Sequence, residues 1–548
     1  MRGARHTRPV RPVVCAMAVA LAATACGGGG GGGGEGGGDT GAVLSSSWGD
    51  PPNPLEPANT NEVQGGKVLS MIFRGLKQYD PKTGAAEDML AEKIETTDST
   101  NYTITVKDGW TFSNGEKVTA RSFVDAWNYG ASLKNNQRNA YFFEYIEGYD
   151  KTHPAKGKQT ADTLSGLKVT GERTFTVKLK QKFSSFPDTL GYNAYAPLPR
   201  AFFDAHEAWL KKPVGNGPYL IESYAKGSQL SLRTWDAYPG EDKAVNGGVD
   251  LKVYTDSNTA YTDLMAGNLD LVDDVPASQL KNVRSDLGDR YINAPAGIIQ
   301  TLAFPYYDKS WGKTGMEKVR QGLSRAINRV QITQTIFQNT RTPAIDWTSP
   351  VLGKEGGYRA GPCGEACVYD AAAAKKLIKE GGGLPGGQVK ITYNADTGSH
   401  REWVDAVCNS INHALGKDNA CVGNPIGTFA DYRNRITDRK MTGPFRAGWQ
   451  MDYPLIQNFL QPLYYTDASS NDGKWSSPQF DKLVDEANAE SDAARAVAKF
   501  RQAEEVLRDQ MAAIPLWYQN GSAGYSQRLT NVALNPFSVP VYDQIKVG

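Results

Sequence analysis

The chain has 548 residues, a length that allows two to four domains at roughly 150 residues per domain. Hydrophobic residues make up 40% and charged residues 22%, and the formal net charge is +1. These values are typical of globular proteins and argue against a disordered chain or a protein with several membrane spans. The absence of a basic excess also argues against a protein that binds duplex nucleic acid.

The amino end has the pattern of an export signal. Residues 1–12 carry four arginines and no acid, and an apolar stretch from Val13 to Ala25 follows. This stretch is shorter than the ~20 residues that span a bilayer, and no longer apolar run occurs later in the chain. We therefore predict that residues 1–25 are a signal peptide and that the mature chain, with a net charge of −3, lies outside the cytosol.

The six residues that end at Cys26 resemble the bacterial lipobox, in which the thiol of the first mature residue receives a diacylglycerol. Ala23 departs from that pattern, because a larger aliphatic residue is usual there. Ordinary signal-peptidase cleavage after Ala25 is the alternative. Eight glycines follow Cys26, then Glu35 and three more glycines. Residues 26–40 are thus predicted to be a lipidated cysteine and a flexible tether with a reach of about 20 Å.

In the body of the chain, some segments repeat hydrophobic residues with a period of two and others with spacings of three and four. A period of two predicts strands, in chain order, at Tyr102–Val106, Thr174–Leu179, Pro218–Tyr224, Gln229–Trp235, Val249–Tyr254 and Val389–Tyr393. Spacings of three and four predict helices at Met316–Gln338, Ala371–Glu380, Arg401–Leu415 and Pro478–Met511. The body is therefore predicted to be a mixed α/β (α+β) fold.

Four cysteines remain after Cys15 leaves with the signal and Cys26 is assigned to lipid; they are Cys363, Cys367, Cys408 and Cys421. An even number in an oxidising compartment favours disulfides. Three pairings are open, and we favour the short-loop pairing of the first two and of the last two. A zinc site is the alternative, but the spacing lacks the compact knuckles of such sites, so we expect no metal.

The sequence shows no signature of catalysis. It contains no G-x-S-x-G, no H-E-x-x-H and no G-x-x-x-x-G-K-[ST], and its polyglycine run has no strand before it. We therefore expect no enzyme activity and no cofactor.

The ten residues Phe445–Pro454, FRAGWQMDYP, have the pattern of a ligand-binding strand. If they are extended, Arg446, Gly448 and Asp452 share one face, and Arg446 and Asp452 lie about 20 Å apart. A short peptide fits that span, with its ammonium at Asp452, its carboxylate at Arg446 and its backbone paired with the strand. An internal Arg–Asp arrangement within a domain core is the alternative.

Several blocks, in order, carry a resemblance over nearly all of the mature chain: Phe73–Gly84, Met89–Glu92, Trp110–Gly115, Val118–Ala120, Val214–Tyr219, Met265–Asp270, Val319–Asn328 and Gly448–Tyr453. The chain resembles the dipeptide/oligopeptide-binding family of extracytoplasmic solute-binding proteins that serve ABC importers, in the form of an actinobacterial-type lipoprotein.

The resemblance implies a two-lobed periplasmic-binding-protein type II fold with an additional inserted domain and closure of the lobes on the ligand. Lobe I would comprise residues 41–76, 214–302 and 520–548. The inserted domain II would comprise residues 77–213, and lobe III residues 303–519.

The resemblance also implies roles for single residues. Asp452 would receive the amino terminus of a peptide, and Arg446 lies where a cation meets the carboxyl end. The residues that would pair with or line the ligand are Ala447, Gly448, Trp449, Asn61, Glu62, Val63, Trp517 and Tyr518. The cysteines depart from the family pattern, because position 450, close to Asp452, is Gln and the four cysteines lie elsewhere. The disulfide assignment therefore does not come from the resemblance.

The expected function is capture of short peptides outside the cell and delivery to ABC permease subunits. We expect a monomer that is attached to the membrane only through its lipid and that binds no nucleic acid. Alternatives are the same fold with an oligosaccharide, chelate or siderophore as ligand, and a secreted hydrolase. Asp452 favours a peptide, because a neutral sugar would leave its carboxylate unpaired at a cost of about 1–3 kcal/mol.

Overall fold

The computed structural model describes residues 41–354, 356–395 and 400–548. The predicted signal peptide, Cys26 and the tether lie outside the described residues. Within the described ranges, no helix has the length and apolar character that crossing a membrane requires.

The first part of the chain forms one strand of a large sheet and then a second, smaller sheet with its own helices. Residues 41–213 contain β1 (Val43–Trp48), α1 (Val63–Ile72), β2 (Lys77–Tyr79), β3 (Ala86–Asp88), β4 (Ala91–Thr96), β5 (Asn101–Val106), α2 (Ala120–Ala131), α3 (Tyr149–Thr152), β6 (Leu167–Val169), β7 (Thr174–Lys178), α4 (Phe186–Thr189), α5 (Arg200–Asp204) and α6 (His206–Lys211). β4, β5, β7 and β6 form a sheet of their own, in that order.

The middle of the chain returns to the large sheet. Residues 214–303 contain β8 (Tyr219–Ala225), β9 (Gln229–Thr234), β10 (Gly248–Val253), α7 (Ser257–Ala266), β11 (Leu271–Val272), α8 (Val283–Leu287) and β12 (Tyr291–Ala303). β1 pairs in parallel with β10, so residues before and after the smaller sheet lie side by side.

The last part of the chain supplies the longest helices of the described residues. Residues 304–548 contain α9 (Met316–Arg325), α10 (Arg329–Thr335), β13 (Arg341–Pro343), α11 (Ala371–Glu380), β14 (Val389–Asn394), α12 (His400–Leu415), β15 (Cys421–Ile426), α13 (Phe429–Thr437), β16 (Phe445–Gln450), α14 (Ile456–Tyr464), α15 (Pro478–Ala489), α16 (Ala493–Gln510), β17 (Ala513–Tyr525), β18 (Leu529–Thr530) and β19 (Lys546–Val547).

Two long strands connect the halves of the large sheet. In the described residues its order is β15-β14-β16-β12-β17-β11-β1-β10-β9-β8, with β13 also paired to β17. β12 and β17 have 13 residues each, which is about 40 Å of extended chain. β17 pairs with β11 at one end, and β12 pairs with β16 at the other. Both strands therefore run from one half of the sheet into the other.

The hydrophobic core is divided in the same way. One large cluster is built from residues 44–271 together with Tyr453 and the carboxyl end from Leu529 to Val547. A second cluster contains residues from Ile299 to Tyr518. Each half of the sheet is thus buried against its own helices, and the junction between the clusters lies where β12 and β17 pass.

The strands predicted from a period of two are confirmed within two residues at either end. Two predicted helices are wrong in length, because each is interrupted. Asn328 accepts a hydrogen bond from the Gln331 amide, and Asp492 accepts one from the Arg495 amide. Each side chain thus caps the start of a second helix, and this local hydrogen bond competes with continuation of the preceding helix.

The cysteines are paired in the way that the sequence favours. Cys363 is bonded to Cys367, and Cys408, in α12, is bonded to Cys421, the first residue of β15. All four are buried in the second hydrophobic cluster. The second disulfide joins α12 to the edge strand of the sheet.

Candidate functional site

The predicted ligand-binding strand is β16, and along most of its length one of its edges has no strand partner among the described residues. β16 pairs antiparallel with β12 from Phe445 to Gln450. On its other side β14 meets it at Phe445. The amide of Met451 donates to the carbonyl of Gly297 at 2.9 Å. Because hydrogen-bonding directions alternate along a strand, the backbone groups of Gly448 and Gln450 face the free edge.

Asp452 lies in a bend directly after β16, and Asn458 holds that bend. The Asn458 side-chain oxygen accepts hydrogen bonds from the Asp452 amide at 2.8 Å and from the Trp449 indole at 3.0 Å. Its amide nitrogen donates to the Asp452 carboxylate at 3.1 Å. Gly297 is also required here, because a Cβ at that position would overlap the sulfur of Met451. The Asp452 carboxyl is therefore held in one orientation.

The Asp452 carboxyl has no cationic partner among the described residues. Burial raises its pKa to about 7, and the hydrogen bond from Asn458 opposes that increase. A single amide donor is a weak substitute for the hydration that a carboxylate loses on burial. The carboxyl therefore gains stabilisation from any positive group that enters the site.

Asp452 lines two cavities. The first, which we call the cleft cavity, has a volume of about 390 Å³ and is also lined by Gln450 and Met451. Its opposite wall contains Asn61, Glu62 and Val63 at the start of α1. The second, which we call the side cavity, has a volume of about 240 Å³ and lies between residues 141–195 and the region of α14.

The cations that line the cleft cavity are already neutralised. Arg74 forms ion pairs with Asp242 at 2.7 Å and with Asp543 at 3.2 Å, and Lys77 forms one with Asp88 at 2.8 Å. The cleft cavity volume is within the range of small-ligand sites. Its uncompensated charge is negative, which favours a ligand that brings a cation.

Glu62 has a structural task at the cavity wall. Its carboxylate accepts hydrogen bonds from the amides of Gln64 at 2.8 Å and Gly65 at 3.0 Å, and so caps the amino end of α1. Burial nevertheless raises its pKa above the usual value. The cap fixes the backbone of Asn61 and Val63 against the cavity.

Four tyrosines surround the Asp452 carboxyl. Burial raises the pKa of each hydroxyl, and the charge of Asp452 contributes to the increase for Tyr79, Tyr141, Tyr192 and Tyr453. Tyrosine rings present negative faces to a cation and cost little to keep desolvated. Together with Asp452 they form an environment suited to an ammonium group.

Among the described residues, no ion pair joins Arg446 to Asp452. The guanidinium of Arg446 lies over the rings of Tyr432 and Phe429, at 5.5 and 5.7 Å from their centroids. Arg446 lines neither cavity. The structure thus separates the two ends of the predicted charge pattern.

The predicted aromatic pair lies in the core of the second half of the molecule. Trp517 is 0% exposed and packs against Trp403 and Phe337, with ring centroids 5.3 and 5.1 Å away. The Tyr518 hydroxyl accepts a hydrogen bond from the Ile345 amide at 3.2 Å. Neither side chain lines either cavity. As neighbours in β17 they point to opposite faces of the sheet, and both are buried there.

Sequence reasoning missed Asn458 and the tyrosines. Asn458 does leave a signal, since α14 is a short helix in which Gln457, Asn458 and Gln461 are all buried, and three amides in one apolar helix need partners. Tyr141 and Tyr192 leave none, because they lie about 300 residues before Asp452 and only the folded chain brings them together. In the described ranges, no cluster of three or more His, Cys, Asp or Glu side chains could hold a metal ion.

Residues 86–471 match the family described as bacterial extracellular solute-binding proteins, family 5 Middle. The chain belongs to this family. It is similar to the oligopeptide-binding protein OppA of Bacillus subtilis, with 25% identity over 505 residues and 88% of each chain covered.

Two solved structures show the same fold. The murein tripeptide binding protein MppA of Escherichia coli has a TM-score of 0.78 at 20% identity, with 92% of this chain and 98% of that chain covered. OppA of Haemophilus influenzae, in complex with the peptide RPPGFSPFR, has a TM-score of 0.77 at 20% identity, with 93% and 99% covered. The predicted two-lobed fold and the predicted family are therefore confirmed.

Proposed function

We propose that this protein captures short oligopeptides, with the peptide amino terminus at Asp452 in the cleft cavity, and delivers them to an ABC permease. The observation that carries the proposal is the Asp452 carboxyl, which burial holds at a pKa of about 7 without a cationic partner among the described residues. An incoming ammonium supplies the missing charge, and a charge-assisted hydrogen bond fixes the direction of the ligand.

The free edge of β16 supports recognition of the peptide backbone. The carbonyl and amide of Gly448 face away from β12, and Gly448 places no side chain between them and a guest. Pairing with a strand edge is indifferent to ligand side chains, so it suits a carrier of many peptides. In this proposal Ala447, Gly448 and Trp449 form the pairing strand.

The other predicted contacts keep smaller roles in the proposal. Residues Asn61 to Val63 form the wall opposite Asp452. Arg446, which lines neither cavity, meets the carboxylate of longer ligands in this proposal. Trp517 and Tyr518 act indirectly, by fixing β17 within the core.

The test is calorimetry with trialanine, acetylated trialanine and a pool of tri- to pentapeptides. Trialanine and the pool are expected to bind, and Asp452→Ala should weaken binding by about 100-fold, or about 2.7 kcal/mol. Acetylation removes the ammonium and should produce a loss of similar size with the unaltered protein. Asp289→Asn, an exposed acid remote from both cavities, is the matched control and should bind normally.

Equal affinity for trialanine and its acetylated form would contradict the proposal. A thermal shift with oligosaccharides and none with peptides would contradict it as well, and would favour a sugar ligand.

Membrane anchoring is a further part of the proposal. Cys26 receives lipid after residues 1–25 are removed, and residues 26–40 hold the body, as a monomer, at the outer face of the cell membrane. The lipobox-like residues before Cys26 and the polyglycine after it support this. Cys26→Ser should move the protein from the membrane fraction to the medium, and retention of the variant at the membrane would contradict the anchor.

We also propose the domain boundaries expected from the resemblance: residues 41–76, 214–302 and 520–548 as lobe I, 77–213 as the inserted domain, and 303–519 as lobe III. The separate sheet of β4, β5, β7 and β6 and the passage of β12 and β17 between the halves support this division.

A further inference from the structure

The side cavity continues from the point where the peptide amino terminus is proposed to lie. Asp452 and Tyr453 line it at one end, and Tyr141, Glu144 and Tyr145 line it on the side of the inserted domain. Its volume is about 240 Å³. At about 30 Å³ for each water, this space holds a side chain of five or six heavy atoms with room to spare.

The charges that line the side cavity are mainly negative. Glu144, Asp452 and Asp467 contribute carboxyls, and Lys180 contributes one ammonium. The Lys180 ammonium is engaged elsewhere, since it lies 3.2 Å from Asp150 and 5.8 Å from the centroid of the Tyr149 ring. A neutral or acidic ligand side chain would leave this excess of negative charge uncompensated.

Glu144 differs from the exposed Asp467 because its carboxyl, like that of Asp452, is half-buried and has no cationic partner among the described residues. Its carboxylate makes no hydrogen bond or ion pair with the residues that the structure describes, and burial raises its pKa to about 7, with Lys180 opposing the increase. Burying a carboxyl without a partner costs free energy. A positive group in the side cavity would recover that cost.

The walls between the two carboxyls are aromatic and rigid. Tyr141 and Tyr453 lie near both Glu144 and Asp452, since both charges contribute, after burial, to the raised pKa of their hydroxyls. The Tyr453 hydroxyl donates to Gln457 at 2.6 Å, and Gln457 donates to Gln461 at 2.7 Å. Gln461 in turn donates to the Tyr145 hydroxyl, so one chain of hydrogen bonds connects the wall from end to end.

We propose that the side cavity is a subsite for a basic side chain on the first residue of the ligand, with Glu144 as its ionic partner. The inference rests on the proposed function, because an amino terminus at Asp452 places the first side chain at the mouth of this cavity. A lysine side chain extends about 6 Å from its Cα, which carries its ammonium past the tyrosine faces, where cation–π attraction adds to the ionic contact.

The experiment measures the affinities of four tripeptides by calorimetry: Lys-Ala-Ala, norleucine-Ala-Ala, Glu-Ala-Ala and Ala-Lys-Ala. Norleucine has a side chain like that of lysine but lacks its charge. Lys-Ala-Ala should bind about tenfold more tightly than norleucine-Ala-Ala, and Glu-Ala-Ala should bind most weakly. Ala-Lys-Ala has the same net charge as Lys-Ala-Ala and should lack the advantage, because its charge is placed at the second residue.

Glu144→Gln should lower the affinity for Lys-Ala-Ala about tenfold, so that Lys-Ala-Ala and norleucine-Ala-Ala then bind alike. Glu147→Gln makes the same chemical change three residues later, at a side chain that pairs with Lys178 at 2.7 Å and lines neither cavity. It should keep the tenfold preference for lysine.

Equal affinity of the unaltered protein for Lys-Ala-Ala and norleucine-Ala-Ala would overturn the subsite, and this comparison needs no variant. An equal advantage for Ala-Lys-Ala would overturn its placement at the first residue. Failure of all four peptides to bind would overturn the proposed function itself, so the two failures are distinguishable.

Discussion

Two aspartates, one in each half of the molecule, differ in how their carboxyl charge is compensated: Asp270 is buried and Asp452 is half-buried. Asp270 is 4% exposed and accepts hydrogen bonds from the Ser45 amide at 2.9 Å, the Ser526 hydroxyl at 3.0 Å and the Arg528 guanidinium at 3.0 Å. The Asp452 side chain accepts one hydrogen bond among the described residues, from an amide.

The difference separates a structural carboxylate from a binding carboxylate. Asp270 has its charge compensated within the fold, so it stabilises the lobe and has nothing to offer a ligand. Asp452 is desolvated and uncompensated, so it destabilises the empty protein and rewards a ligand that brings a cation. The two residues are adjacent to strands of the same sheet, and only their partners differ.

The largest expected effect is on the structural side of this comparison. Asp270→Asn replaces an acceptor by an amide donor that faces the Ser45, Ser526 and Arg528 donors. We expect the free energy of unfolding to fall by about 3 kcal/mol, with peptide affinity unchanged. Chemical denaturation of the unliganded protein measures the first quantity and calorimetry the second. Unchanged stability would show that the Asp270 network is not structural.

At the binding carboxylate, Asp452, the free energy of unfolding is expected to change in the opposite direction. Asp452→Asn removes a buried charge, so it should raise the free energy of unfolding of the empty protein at pH 8 by about 1–3 kcal/mol. The folded-state pKa of about 7 lies above the usual value of 3.8 for an aspartate, so the native protein loses stability as pH rises from about 4 to 7. The advantage of the variant should therefore be complete above pH 7 and absent below about pH 4. A variant that is less stable than the native protein at pH 8 would break the comparison.

The smallest expected effect comes from the residue that orients Asp452. Asn458→Ala leaves the Asp452 amide and the Trp449 indole without their acceptor and frees the bend after β16. Peptide affinity should fall about tenfold, or about 1.4 kcal/mol, and the fluorescence of Trp449 should change. Asn409→Ala, at an exposed position of α12, is the control. An effect as large as that of Asp452→Ala would mean that Asn458 itself contacts the ligand.

Much of the fold is predictable from local pattern. A period of two predicts the strands well, and the helix predicted at Ala371–Glu380 is confirmed as α11, which the Asp370 side chain caps by accepting from the Ala373 amide. The helix breaks at Asn328 and Asp492 were not predicted, because an Asn or Asp within a helical pattern can lie on the helix surface or cap a new helix. Tertiary context decides between these outcomes.

The candidate site is predictable only where it is local. Asp452, Gln450 and the extended form of β16 follow from one segment, and the burial of Asp452 fits its position after an inner strand. Tyr141, Tyr192 and Glu144 come from a domain about 300 residues earlier, and no local pattern links them to Asp452. Trp517 was predicted to line the pocket, but its side chain is fully buried against Trp403 and Phe337 in the core.

The most direct test of the account is the titration of the Asp452 carboxyl itself. Infrared difference spectra between the native protein and Asp452→Asn isolate that carboxyl across pH 4 to 9. In the empty protein it should titrate near pH 7, and with trialanine bound it should stay ionised down to about pH 5, because the peptide ammonium stabilises the charged form. A carboxyl that titrates near pH 4 with and without peptide would contradict the account.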